Sequence, residues 1–355
     1  MTLGALVLKD GTVFEGQIFG EQKLISSGEV VFHTGLSGYQ EILTDPSYAG
    51  QIISFTYPHI GNYGINEQDN ESRKIYARGL IIRDFDPHFS NYSATQSLDT
   101  WLKANGISGI YGLDTRKLTR HIRGQGALPG AFGTADKNEL LKAARIEVGT
   151  ANIDLVQTVS TSKRFHLGRG KLRVTALDFG IKESILKFLS SFATVTVLPA
   201  NATAKQVLDS RPNGIFLSNG PGDPGVVNYA VTTIGELLGK APIFGICLGH
   251  QLLATALGGQ TQKMPFGHHG ANHPVKNLQT NRIEITSQNH SFTVVESSLR
   301  NVTVTHRNLN DHTIEGLKST KYPAFSVQFH PEAGPGPHET SHLFNDFKLM
   351  MEHYA

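Results

Sequence analysis

One stretch limits what this chain can fold into more than any other: Ala241-Pro242-Ile243-Phe244-Gly245-Ile246-Cys247-Leu248-Gly249-His250-Gln251-Leu252-Leu253. An apolar run long enough for a buried strand ends at Cys247, the only cysteine in the sequence. A helical pattern of Leu252, Leu253, Ala256 and Leu257 starts directly after it. Gly245 and Gly249 flank the cysteine two places away on each side, the Gly-x-nucleophile-x-Gly layout of a nucleophile elbow with sulfur in place of hydroxyl. Such an elbow holds its nucleophile in a strained turn, and only glycine leaves room where strand and helix close on it. The following helix aims its N-terminus at the sulfur and favours the thiolate. A buried core cysteine is the plainer alternative. The two glycines and the switch from strand to helix favour a catalytic one.

The 355 residues suffice for two domains, each with its own core. A net charge of +2 argues against a dedicated nucleic-acid binder. One cysteine excludes an internal disulfide framework and suits a reducing compartment. The opening MTLGALVLKDGTVFEG reads as strand, Asp-Gly turn and strand rather than a signal sequence. No segment approaches the ~20 apolar residues that span a bilayer. A soluble, cytoplasmic protein without membrane or nucleic-acid partners is expected.

Residues 1–150 are rich in short β-type runs, among them Ala5–Leu8, Val30–His33, Ile52–Tyr57 and Gly79–Ile82, and predict a β-rich α/β accessory domain. Helices are predicted over Ser97–Asn105 and Asp114–Arg123, each opening on a capping residue and stopping at glycine. In the second, Arg116, Arg120 and Arg123 share one face, which reads as a solvated basic surface or an anion or partner site. Thr44-Asp45-Pro46-Ser47 reads as a turn in which Ser47 bonds local backbone.

Residues 151–170 lack periodicity and are read as a linker. From 171 to 355 strands and helices alternate: Leu172–Leu177, Glu183–Phe192, Thr194–Leu198, Ala202–Leu208, Gly214–Ser218, Tyr229–Leu238 and Ile243–Cys247. That rhythm is the signature of a mixed, mainly parallel sheet covered on both faces, with ligands at the carboxyl ends of its strands. Gly220, Gly222 and Gly225 satisfy G-x-G-x-x-G, but two prolines stiffen the loop and no acidic residue follows about 20 positions on. Backbone N–H groups aimed at an oxyanion suit a rigid loop beside a nucleophile better. Beyond Gly259 the texture is β-rich, with strands at Arg282–Thr286, Val302–His306 and Ala324–His330. The last runs into Phe329-His330-Pro331-Glu332, where His330 and Glu332 share one side of a strand and supply a base and its orienting acid. Gly267-His268-His269-Gly270-Ala271-Asn272-His273 is a weak ligand set, read as a structural loop with no metal.

Together GICLGHQLL, SNGPGDP and FHPE resemble the class I, triad-type glutamine amidotransferases, whose catalytic domain is flavodoxin-like. The likeness extends over the chain through FHTGLSGYQEILTDPSYAGQIISFTYPHIGNYG, LDTRKLTRHIRGQGA, LDFGIK, FGHHGANHPV, SQNHSF and HPEAGPGPHE, which resemble the small, glutaminase subunit of carbamoyl-phosphate synthase. The resemblance implies Cys247 as nucleophile, His330 as base and Glu332 as orienting acid. It places L-glutamine on Ser47, Gly220, Gly222, Leu248, Gln251, Asn289, Ser291 and Phe292, with oxyanion donors at Leu248 and the Gly220 loop. It also implies a large-subunit partner that carries ATP and Mg, a hetero-oligomer, no cofactor in this chain, and nitrogen supply to arginine and pyrimidine synthesis. Two positions depart from the pattern: Ser291 and Ala271 stand where glycine is usual. Serine at 291 is tolerated only if φ is negative there. An amidotransferase for another synthetase and a non-catalytic regulatory subunit are the competing readings. The first 150 residues speak against one, and the intact Cys247, His330 and Glu332 against the other.

Overall fold

The computed structural model describes residues 2–354, which divide into two compact units: 2–151 with 265–269, and 152–264 with 270–354.

In the first unit the strands are β1 (Thr2–Leu8), β2 (Val13–Gly20), β3 (Ser26–His33), β4 (Gln51–Phe55), β5 (His59–Ile60), β6 (Gly79–Ile82), β7 (Asp84–Phe85), β8 (Ser108–Tyr111) and β9 (Leu128–Gly133). Seven of them close into a barrel in the order β1-β2-β8-β6-β4-β3-β9, while β5 and β7 pair separately. Closure removes the free edges of the sheet. Successive side chains of a strand point to opposite faces, and the two cores follow that alternation. Leu6, Leu8, Val30, Ile52, Ile81 and Ile110 gather in one, whereas Val31, Ile53, Leu80 and Ile82 join the other. Helix α1 (Tyr39–Thr44) and α2 (Leu98–Ala104) cover the second core with Tyr39, Leu43, Leu98 and Leu102. Helix α3 (Thr115–Gln125) starts at Asp114, whose carboxylate accepts from Lys117 N–H at 2.8 Å, and adds Leu118 and Ile122 to the first core. Helix α4 (Lys137–Ile146), absent from the sequence reading, lays Leu140 and Ala144 on Ala5, Val7 and Ala131.

The second unit is built on a ten-stranded sheet. Its strands are β10 (Phe165–Leu167), β11 (Leu172–Asp178), β12 (Ala193–Pro199), β13 (Gly214–Leu217), β14 (Ile243–Ile246), β15 (Gln260–Asn277), β16 (Ile283–Val295), β17 (Val302–Asn308), β18 (Ile314–Ser319) and β19 (Ala324–Val327). The order is β10-β12-β11-β13-β14-β19-β18-β17-β15-β16, with β12, β11, β13, β14 and β19 parallel at its centre. The helices are α5 (Val156–Val159), α6 (Glu183–Phe192), α7 (Ala204–Asp209), α8 (Asn228–Leu237), α9 (Leu248–Ala256) and α10 (His342–Tyr354). Alternation again sorts the core. Leu177, Ile215, Leu217 and Ile243 meet Ala230, Ile234 and Leu237 of α8 and Leu252 and Leu253 of α9. Val174, Ala176, Phe216, Phe244 and Ile246 meet Ile185 and Leu189 of α6 and Phe344 and Phe347 of α10. Truncating one such buried Leu or Ile to Ala costs about 2–5 kcal/mol.

Three sequence readings need revision. Strand β19 ends at Val327, not at His330, because the backbone bends at Gln328 and Phe329; His330 keeps only an isolated bridge to Ser287. The glycine–histidine run 267–273 is not a loop but part of β15, whose residues 265–269 belong to the first unit. Residues 151–170 carry α5 and β10, the latter paired antiparallel with β12. Among the described residues no helix is long and apolar enough to cross a membrane.

Candidate active site

The carboxyl ends of the parallel strands gather the chemistry of the second unit, as expected for an open α/β sheet. Strand β14 delivers Cys247, which stands at the N-cap of α9 with φ 53° and ψ −105°. Positive φ in a residue with a side chain is strained and persists only where the surroundings impose it. The surroundings here are the two elbow glycines. A Cβ on Gly245 would lie 2.7 Å from the Gly249 carbonyl oxygen, and one on Gly249 would lie 2.2 Å from that of Leu217. Cys247 N–H is tied to the Val327 carbonyl at 2.9 Å, and Gln251 N–H to the Cys247 carbonyl at 3.1 Å. The side chain, 2% exposed, donates as a thiol to the Asn289 carbonyl at 3.4 Å.

His330 and Glu332 come together beyond the end of β19. Nδ1 of His330 meets Oε1 of Glu332 at 2.6 Å, with the two residues 2% and 1% exposed. Nε2 of His330 makes no hydrogen bond of ordinary geometry among the described residues, and with Nδ1 taken by Glu332 it is the nitrogen through which His330 interacts with the Cys247 side chain. Burial alone would drive the imidazole toward neutrality, but the Glu332 carboxylate and the nearby Cys247 side chain outweigh it and push His330 up to about 10. For Glu332, burial alone would raise the pKa. The charges of Lys182 and His330 override it and bring the carboxyl down to about 2.

Lys182 was quoted within a motif but given no role by sequence reasoning. Its buried Nζ lies 3.1 Å from Glu332 Oε1 and donates to the Ala333 and Gly334 carbonyls at 2.5 and 3.0 Å. The usable signal was a lysine just past a strand's carboxyl end, directly after the mostly apolar stretch Leu177-Asp178-Phe179-Gly180-Ile181. The turn before it is shaped by Asp178, which accepts from Gly180 and Ile181 N–H at 2.9 Å each.

The remaining candidates separate into groups. Gly220 sits in a loop fixed by Ser218 Oγ, which accepts from Phe179 N–H at 2.9 Å, and by Asn219 Oδ1, which accepts from Lys182 N–H at 3.3 Å. A Cβ on Gly220 would meet the Phe179 carbonyl oxygen at 2.2 Å and Leu248 Cδ2 at 2.9 Å, so the loop and the start of α9 adjoin. Leu248 opens that helix, where N–H groups lack intrahelical acceptors. Gly222, at φ 85°, and the Asp223 cap continue the loop. Asn289, Ser291 and Phe292 all lie on β16, and Ser291 is not among the residues of positive φ, so a serine fits its backbone. Gln251 spends its amide Nε2 on Phe292 O and Gln328 Oε1 at 2.9 and 3.0 Å, which ties α9 to β16. Ser47 belongs to the first unit, in a single 3-10 turn where its N–H donates to Asp45 Oδ1 at 2.8 Å. His268 and His269 fall in the first-unit part of β15.

This geometry has close relatives. Residues 6–132 match the family model for the carbamoyl-phosphate synthase small chain, CPSase domain, and residues 175–350 match glutamine amidotransferase class-I. The chain is 52% identical to the carbamoyl phosphate synthase small chain of Chlorobaculum tepidum, over 98% of this chain and 97% of that one. It is 50% identical to the pyrimidine-specific small chain of Bacillus subtilis, over 98% and 95%. The chain belongs to the carbamoyl phosphate synthase small-chain family. Within that family frame the elbow, the His330–Glu332 pair and Lys182 all fall inside the amidotransferase match, and all but the outer ends of β1 and β9 of the barrel fall inside the small-chain match.

Proposed function

We propose that this chain hydrolyses L-glutamine at Cys247 and passes the ammonia to a large chain that makes carbamoyl phosphate. The observation that carries the reading is the buried His330, held by Glu332 at Nδ1 and interacting through Nε2 with the Cys247 side chain of the strained elbow. The thiolate of Cys247 attacks the side-chain carbonyl carbon of glutamine, and the C–O π electrons move onto oxygen. Backbone N–H groups of Leu248 and Gly220 take that oxyanion, a contribution of about 3–4 kcal/mol per donor. When the intermediate collapses, the C–N bond breaks and the Nε2 proton of His330 goes to the departing nitrogen as ammonia. A glutamyl thioester remains. Neutral His330 then draws a proton from water, whose oxygen attacks the thioester; glutamate leaves and the thiolate–imidazolium pair is restored. Glu332 keeps Nδ1 protonated throughout, and Lys182 keeps Glu332 ionised.

Asn289, Ser291 and Phe292, with Gly222, Gln251 and Ser47, are assigned to glutamine binding. We assign residues 1–150 to contact with the large chain and 171–355 to glutamine chemistry. ATP and Mg belong on the large chain, and no cofactor on this one. Only unprotonated ammonia is a nucleophile, which favours a route closed to water between the two reactions. The relative from Bacillus subtilis is named pyrimidine-specific, which supports a supply of carbamoyl phosphate to pyrimidine synthesis and, by extension, arginine synthesis. A free thiol nucleophile suits the reducing cytoplasm. Replacing Cys247 by Ala is expected to abolish glutamine-driven synthesis by the small–large complex while leaving synthesis from added ammonia. Glutamine-driven synthesis that survives the change would show the nucleophile to be misassigned.

A further inference from the structure

In the first unit, the start of β2 and helix α3 line an open cavity of about 540 Å³, with Thr12, Phe14, Arg116, Lys117, Arg120 and His121 on its walls. That volume is in the usual range for small-ligand sites, roughly 300–1,000 Å³. Its charge is one-sided. Among the described residues neither Arg116 nor Arg120 makes a salt bridge, and Lys117 places its ammonium 5.7 Å from the centre of the Phe14 ring. The adjacent carboxylates are already engaged. Asp114 also lines the cavity but caps α3 through Lys117 N–H at 2.8 Å, and Asp10 holds His121 Nε2 at 2.6 Å and Thr12 N–H at 2.9 Å.

Packing does not ask for this arrangement, because Leu118 and Ile122 carry the buried face of α3. Helix electrostatics oppose it. Arg116 and Lys117 occupy the first turn, where the helix dipole disfavours cations, and the carboxylate beside them is the N-cap Asp114, already bonded to Lys117 N–H. Three unpaired cations around a concavity, two of them against the local field, make a receptor for negative charge.

We propose that this cavity binds a small phosphate-bearing anion, a site separate from the glutamine chemistry of the second unit. Arg116 and Arg120 are one turn apart and present two planar guanidinium forks, with the Lys117 ammonium between them in sequence. Forks of this kind match the oxygens of a phosphate two at a time.

The test is calorimetric titration of the full chain with inorganic phosphate and, separately, ribose 5-phosphate, with chloride at matched ionic strength as reference. Saturable one-to-one binding of either is expected, and the stronger of the two identifies free phosphate or a phosphorylated metabolite as the source. The doubly substituted Arg116→Gln, Arg120→Gln chain is expected to bind at least about tenfold more weakly. Arg116→Lys with Arg120→Lys is expected to fall between, and carries the comparison should the glutamine pair fail to fold. Cys247→Ala is expected to bind phosphate normally, so that failure here and failure of the glutaminase assignment are read separately. No saturable binding beyond chloride, or equal binding by the substituted chains, overturns the proposal. So does loss of association with the large chain in a substituted chain when the parent binds no phosphate, which makes the groove a protein-docking surface.

Discussion

His330 and His250 lose the same water and end in opposite states. Both are wholly buried in the second unit, one beyond β19 and the other three residues after the nucleophile on α9. Burial lowers His250 to about 3: the Ser326 hydroxyl, 2.9 Å from Nδ1, does not offset it, and a second histidine, His306, lowers it further. His330 faces Glu332 instead and is raised to about 10. Desolvation is common to both, so the neighbouring carboxylate decides the charge. The Glu332 carboxylate is in turn kept ionised by Lys182, a residue 150 positions away from it in sequence, and it is Glu332 that holds the imidazole protonated. The chain therefore spends one buried cation to keep one acid ionised and one base protonated beside a thiol.

The strongest test of this contrast is His330→Asn, which removes the proton carrier and is expected to lower kcat for glutamine hydrolysis by about 10⁴-fold or more, read in a steady-state glutaminase assay. Glu332→Gln comes next, with an expected loss of about 10²–10⁴-fold. It leaves Lys182 and the imidazolium uncompensated, so the alkaline limb of the rate profile should also shift to lower pH. An unshifted limb would separate His330's charge from Glu332.

The profile of the parent chain follows from the same charge. The reactive form is the imidazolium, so kcat/KM for glutamine should stay level through neutrality and fall as pH rises through about 10. Stability has the matching sign: a raised pKa contributes fully below the unfolded value of 6.5 and is lost as pH climbs toward about 10. His250 works in the other window. Its lowered pKa means that the unfolded chain takes up a proton first, so stability drains as pH falls below 6.5. His250→Asn should therefore lose about 2 kcal/mol less than the parent between pH 6.5 and 5, measured by denaturant unfolding, while its alkaline rate limb stays in place. His306, also lowered, to about 4, keeps its own share of the acid loss in both chains. Ser291→Gly carries the smallest effect. With φ already suited to serine, its KM for glutamine should equal or fall slightly below that of the parent, and a large rise would give the hydroxyl a role of its own.

What could be read beforehand divides along physical lines. The elbow was legible because strand, two glycines and helix are adjacent in sequence, and α6 came out at Glu183–Phe192 as its period predicts. Cap and stop signals likewise placed α2 and α3 to within two residues. Closure of the barrel was not legible, since pairs such as β2 with β8 join segments about ninety residues apart that carry no local mark. Strand β15 was hidden by its own composition, glycine and histidine being poor strand formers that the sheet nevertheless accommodates. Lys182 escaped for the same reason as the barrel: its partner is distant in sequence, so its place just past a strand's end was legible but its pairing was not.

The most direct measurement is intact and peptide mass analysis of the parent chain after acid quench during glutamine turnover. A glutamyl adduct on the peptide holding Cys247, absent from the Cys247→Ala chain, is the predicted result. Steady glutamate production with the Cys247 thiol always unmodified, or turnover by the Cys247→Ala chain, would contradict the account.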